Sequence, residues 1–102
     1  GRAAQAVGEK LARIAADRQV LCVTHLPQVA AMADRHFHIE KETAEGRTTT
    51  HCRVLSDEGR AEEIARMIGG AELTEHTMAA ARDLLRAAGQ WKAARRAQAA
   101  SV

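Results

Sequence analysis

Aromatic side chains are almost absent from this sequence of 102 residues: they make up 2% of it, and Phe37 and Trp91 are the only two. Alanine, valine, leucine and isoleucine must therefore fill any core. Because small side chains bury little area each, such a core is expected to be marginal on its own. At this length the chain forms one domain at most. The composition therefore predicts a piece that packs against something else.

Other absences disfavour whole classes of protein. No apolar run approaches membrane-spanning length and nothing resembles a signal peptide, so a reduced, cytoplasmic setting is expected. Cys22 and Cys52 form no CxxC pair and no disulfide framework. The charge, with 15 Lys and Arg against 13 Asp and Glu, is too balanced to indicate nucleic-acid binding. No Walker A pattern occurs, so nothing in this sequence could cradle a triphosphate alone.

A short apolar run, residues 20–23, leads into Thr24 and His25. Such a run predicts a strand at 19–24 that is buried on both faces, as in a parallel sheet, with Cys22 as a small buried hydrophobe. Polar side chains at the carboxyl end of such a strand lie where open α/β sheets bind ligands. His25 is therefore the first candidate for chemistry. The alternative is a histidine that merely ends a strand before a helix that Thr24 caps and Pro27 opens.

The remaining pattern predicts an α/β fold. Helices are expected at residues 3–16, 27–33, 60–68 and 75–88, and further strands at 36–41 and 48–55. The first two strands and the helix between them would form a right-handed parallel βαβ unit, and the last two strands a hairpin at the sheet edge. In that hairpin Phe37 and Ile39 should be buried, because they alternate with polar residues. Gly89 should end the last helix, and the residues after it either fray or extend that helix.

The two later helices each carry an apolar stripe. These predicted core positions are Ala61, Ile64, Ala65 and Ile68, then Met78, Ala81, Leu85 and Ala88.

Other chemistries have weaker support. His36 and His38 leave one side of a strand and His51 lies across the hairpin, but no carboxylate or cysteine is clearly placed to complete a zinc site, so no metal is predicted. Cys52 has His51 beside it but no orienting group for nucleophilic catalysis. The basic, alanine-rich tail around Trp91 is read as a solvated terminus.

Three segments, taken together, resemble a known family. They are residues 1–11 (GRAAQAVGEKL), residues 19–31 (QVLCVTHLPQVAA), and Arg60 with residues 63–70 (EIARMIGG), followed by Leu73, Thr74 and residues 79–85. In this order and spacing they resemble the carboxyl-terminal end of the RecN family. That family comprises bacterial double-strand-break repair ATPases of the structural-maintenance-of-chromosomes type.

The resemblance implies the carboxyl-terminal portion of an ABC-type, P-loop NTPase head that is assembled from both ends of a long protein. Residues 1–89 would be its carboxyl-terminal lobe, incomplete without the P-loop half, and residues 90–102 a basic alanine-rich tail. His25 matches the switch, or H-loop, histidine, which contacts the γ-phosphate of ATP and helps organise the attacking water. Gly1 would stand at the end of the D-loop.

The resemblance also implies partners and limits. ATP with Mg²⁺ would be bound mostly outside this chain, which lacks the P-loop, the signature serine and the Walker B acids and should be inactive alone. The partners would be the amino-terminal P-loop half, a second head in an ATP-dependent dimer, and DNA through the full protein, in the bacterial cytoplasm at the nucleoid and not at a membrane. A stand-alone, non-catalytic α/β interaction module is the alternative.

Overall fold

The computed structural model describes residues 1–100, which form a mixed α/β arrangement of packed helices and one two-stranded hairpin. The elements follow in the order α1 (Arg2–Ile14), α2 (Pro27–Ala31), β1 (Phe37–Ala44), β2 (Arg47–Val54), α3 (Asp57–Gly69) and α4 (Glu75–Ala100). None of the helices in residues 1–100 combines the length and the apolar character needed to cross a bilayer.

The strands β1 and β2 form the predicted hairpin. They pair antiparallel, with Phe37 opposite Val54 and Ala44 opposite Arg47. Glu45 and Gly46 connect them, with φ angles of 53° and 75°. Positive φ at both central residues is the requirement of the tight type I′ turn, whose twist matches that of the two strands.

The predicted strand at residues 19–24 is not formed, and the parallel βαβ unit is absent with it. The only sheet within residues 1–100 contains β1 and β2 alone. Leu21 is 85% exposed and Val23 97% exposed, and Cys22 is exposed rather than buried. An extended segment becomes a strand only when neighbouring strands pair its N–H and C=O groups, and the described residues supply no such neighbour.

The prediction of a buried hairpin face was also wrong. Phe37 is 44% exposed and Ile39 is 55% exposed. Their partners across the ladder are Val54 and Cys52, so the four side chains share one uncovered face. On the opposite face His38 stands 3.6 Å from Glu63 of α3, while the other side chains of that face are exposed.

The core lies between α2, α3 and α4, and it is built mainly from small side chains, as the composition predicted. Its buried residues are Ala30, Ala31, Met32, Ile64, Ala65, Ala81 and Ala88. Both predicted stripes contribute, because Ala61, Ile64 and Ala65 are buried on α3 and Ala81 and Ala88 on α4. The prediction was wrong for Ile68, the last residue of the α3 stripe, which is 41% exposed.

Local hydrogen bonds set the ends of the two long helices. The helix α3 begins three residues earlier than predicted because the Ser56 hydroxyl accepts the Gly59 N–H at 3.1 Å. It ends at Gly70, where φ is 90° and the N–H bonds back to the Arg66 carbonyl. The predicted cap at Thr74 is confirmed, because its hydroxyl accepts the Thr77 N–H at 3.1 Å.

The helix α4 does not stop at Gly89 but continues to Ala100. A glycine inside a helix costs about 1 kcal/mol relative to alanine. Contacts beyond the glycine offset that cost: Lys92 reaches the carbonyl of Ala33 at 3.2 Å, and Trp91 packs against the core cluster. The extension of the helix into residues 90–100 was one of the two alternatives for the tail. Residues 101 and 102 lie outside the described part.

Candidate functional site

The segment that carries His25 runs extended over residues 19–26, between the turn at residues 15–18 and the start of α2. The Thr24 hydroxyl accepts the N–H of Leu26 at 3.0 Å. Leu26, not Thr24, is the N-cap residue, and its extended conformation follows from the proline after it. Pro27 opens α2 as predicted, because its fixed φ suits the first helical turn. Thr24 and Pro27 thus fix the turn in which His25 stands.

His25 is exposed and faces an open groove. The groove has a volume of about 1960 Å³ and runs between the extended segment, the uncovered hairpin face, α1 and the end of α4. Its apolar lining includes Leu21, Val23, Phe37 and Ile39. Within residues 1–100 no group hydrogen-bonds the imidazole of His25, so both ring nitrogens are available to a ligand or a partner.

Gly1 lies at the other end of α1 from the groove. It is the N-cap residue of α1 and is exposed, and its carbonyl accepts the Gln5 N–H at 3.2 Å. Gly1 is not among the residues that line the groove around His25. The described chain therefore does not bring the two predicted site residues together.

Two other histidines, His38 and His51, pair with carboxylates. His38 lies 3.0 Å from Glu40 and His51 lies 3.4 Å from Glu42. In the part of the chain that the structure describes, no group of three or more His, Cys, Asp or Glu side chains is arranged to hold a metal ion.

Two cations at the carboxyl end of α2 were missed by the sequence reasoning. The Arg60 guanidinium, on α3, donates to the carbonyls of Ala33, Ala30 and Ala31 at 3.0, 3.4 and 3.5 Å. The Lys92 ammonium, on α4, donates to the Ala33 carbonyl at 3.2 Å and to Asp34 at 3.1 Å. The signal in the sequence is that Arg60 precedes Ile64 by four residues, which puts a charge on the apolar face of its helix.

His36 lies beside this cluster, just before β1. Burial lowers the pKa of His36 below its ordinary value of 6.5, and the nearby Arg60 lowers it further, while Glu63 acts in the opposite direction. Its Nδ1 atom is buried without a hydrogen-bond partner among residues 1–100. The folded chain therefore favours the neutral imidazole.

This shift predicts a loss of stability in mild acid. The unfolded chain binds a proton at His36 near pH 6.5, and the folded chain binds it only at lower pH. The free energy of unfolding should therefore fall as the pH drops from 6.5 towards the folded pKa. In urea titrations between about pH 5 and about pH 8, His36→Gln should flatten this dependence and the exposed His76→Gln should not. An unchanged slope in His36→Gln would assign the dependence to other groups.

The sequence is similar to bacterial proteins of one kind. It is 56% identical over 85 residues to the DNA repair protein RecN of Halalkalibacterium halodurans, a match that covers 83% of this chain and 15% of that protein. It is 52% identical over 92 residues to the DNA repair protein RecN of Bacillus subtilis, covering 90% of this chain and 16% of that protein. The RecN of Deinococcus radiodurans is 51% identical over 85 residues. No family model matches the chain.

These relatives are bacterial DNA repair proteins, and they are more than 50% identical to the chain over most of its length. The chain belongs to the RecN family, which confirms the resemblance drawn from its three sequence segments. It spans only 15% to 16% of the length of these curated relatives.

Proposed function

We propose that this chain is part of a RecN-type, ABC-class ATPase head and supplies its switch histidine, His25. Most of the ATP and its Mg²⁺ would be bound by residues outside the chain, with Gly1 at the end of a D-loop. The observation that carries the proposal is the extended apolar segment: it ends in His25, it is exposed, and it borders a groove.

The exposure of this segment supports the proposal that another part of the protein packs over it. Leu21 at 85% and Val23 at 97% exposed offer apolar side chains to water. In residues 1–100 the neighbouring backbone has no strand to pair with. Both features fit a strand whose neighbours come from elsewhere, which in this proposal is the amino-terminal P-loop half of the same protein.

The dimensions of the groove favour the same occupant. Pockets for small molecules measure about 300–1,000 Å³. The groove measures about 1960 Å³ and is open to solvent. It is therefore better matched to packed protein elements than to a nucleotide held by this chain alone.

The chemistry assigned to His25 follows from its place and its free ring. An imidazole can donate a hydrogen bond to a phosphate oxygen or accept one from water, and a strand completed by the P-loop half would hold it in a defined orientation. We assign it contact with the γ-phosphate and orientation of the attacking water. Two such heads would engage around ATP, and this cycle would drive DNA repair and recombination at the nucleoid in the cytoplasm.

The test is His25→Ala in the intact protein. We expect ATP turnover to fall by about 100-fold or more, because a positioned proton-transfer or hydrogen-bonding group typically contributes that much. The binding of ATP should change less, since other residues hold the nucleotide. His76→Ala, which removes an exposed histidine from α4, is the matched control and should turn over ATP at the wild-type rate.

Two results would contradict the proposal. Hydrolysis at the wild-type rate by His25→Ala would remove His25 from the mechanism. ATP turnover above background by the purified 102-residue chain alone would overturn the idea of a site completed from outside.

A further inference from the structure

The helix after His25 is too short to hold its own position. The helix α2 has five residues, Pro27–Ala31. Isolated helices of this length do not form in water, because the cost of nucleation is not recovered over so few hydrogen bonds. Its stability must therefore come from packing and from groups that satisfy its free ends.

Arg60 supplies such a group at the carboxyl end. One nitrogen of its guanidinium, Nη2, donates to three carbonyls of the last turn and the residues after it, with the shortest distance, 3.0 Å, to Ala33. A positive charge at this end of a helix also interacts favourably with the helix dipole. Lys92 adds a second cation at the Ala33 carbonyl. The two cations come from different helices, α3 and α4.

Arg60 occupies this place at a cost in hydration. Burial lowers the pKa of its guanidinium, and Asp57 and Asp34 oppose that shift. Its Nε atom is buried without a partner in residues 1–100. An arginine that only contributes charge to the surface does not need a partly buried position, and most arginines of this chain are exposed. The burial of Arg60 brings its guanidinium within hydrogen-bonding distance of the carbonyls at the end of α2.

The opposite end of α2 leads directly to His25. Only Leu26 separates His25 from Pro27, and the Thr24 hydroxyl bond to Leu26 closes the turn between them. Upstream of Thr24 the segment is exposed and unpaired in the described chain. The connection from His25 to the folded core therefore runs through α2.

We infer that Arg60 is a positioning residue for His25: it fixes α2 against α3 and so determines where the imidazole stands. This inference rests on the proposed function of His25. The hydrogen bonds of the Arg60 side chain within residues 1–100 go to backbone carbonyls of α2 and the residues after it, so it acts on the reaction through the placement of His25.

The experiment compares three single variants of the intact protein with the wild type. Arg60→Met should lower kcat for ATP hydrolysis by about 10- to 100-fold, because small misplacements of a reacting group have effects of that size. KM for ATP should change by less than about 3-fold, since nucleotide binding lies elsewhere. Arg60→Lys should recover part of kcat, because the ammonium keeps the positive charge and can reach one carbonyl but does not reproduce the three contacts of Nη2. Arg66→Met, an exposed position on the same helix, should match the wild type.

A double variant separates positioning from general stability. If Arg60 acts through His25, then Arg60→Met should cause no further loss of kcat beyond about 2-fold in a His25→Ala background. The inference would be overturned if the double variant lost kcat by the product of the two single losses, or if Arg60→Met had the kcat of the wild type. If Arg60→Met does not fold, Arg60→Lys enters the same comparison with His25→Ala. A wild-type rate in His25→Ala alone would instead refute the proposed function.

Discussion

Replacement of Ile64 by alanine is expected to lower the free energy of unfolding of this chain by about 2–5 kcal/mol. Ile64 is 0% exposed and is the largest fully buried side chain in the described residues. Its core neighbours include Ala65 and Ala81, which have no rotamers that could fill the cavity. A domain is stabilised by only about 5–15 kcal/mol, so the substitution would remove a large share of the total.

Urea unfolding followed by tryptophan fluorescence measures this effect. Trp91 is the only tryptophan, and the guanidinium groups of Arg13 and Arg95 lie over its ring, 5.7 and 5.0 Å from the ring centre. Ile39→Ala is the matched control, because Ile39 is 55% exposed and surface changes stay within about 0.5 kcal/mol. Equal losses in the two variants would contradict the core described between α2, α3 and α4.

These two isoleucines also show what the sequence could and could not predict. The helical period placed Ile64 correctly, because the stripe of an amphipathic helix is a local property of the chain. The alternation in the hairpin correctly grouped Phe37 with Ile39. Whether another element would cover that face was not local information: Phe37 and Ile39 remain exposed, and only His38, on the other face, is shown close to α3.

The extended segment before His25 illustrates a second limit. Its apolar run is suited to a strand, but strand formation depends on partners and not on composition alone. The prediction failed in the described chain because no partner strand is present in residues 1–100. The contacts of Arg60 were missed for a related reason: its shortest hydrogen bond joins residues 27 positions apart in the sequence.

Replacement of Val23 by aspartate is expected to give opposite results in this chain alone and in the intact protein. In the chain alone Val23 is 97% exposed, so the free energy of unfolding should stay within about 0.5 kcal/mol of the wild type. In the intact protein, under the proposed function, the P-loop half covers this position. An unpaired carboxylate buried there should cost about 3–5 kcal/mol.

Thermal unfolding of both forms and ATP turnover of the intact protein provide the measurement. Val29→Asp is the matched control: Val29 is 6% exposed within the chain itself, so its substitution should destabilise both forms. A Val23→Asp protein that keeps the wild-type Tm and turnover when intact would show that the segment remains uncovered, and the proposed head assembly would be wrong. A loss of stability and turnover that is confined to the intact Val23→Asp protein would have one physical source. The aspartate costs little while it is in water, and it becomes costly only when another part of the protein removes it from water.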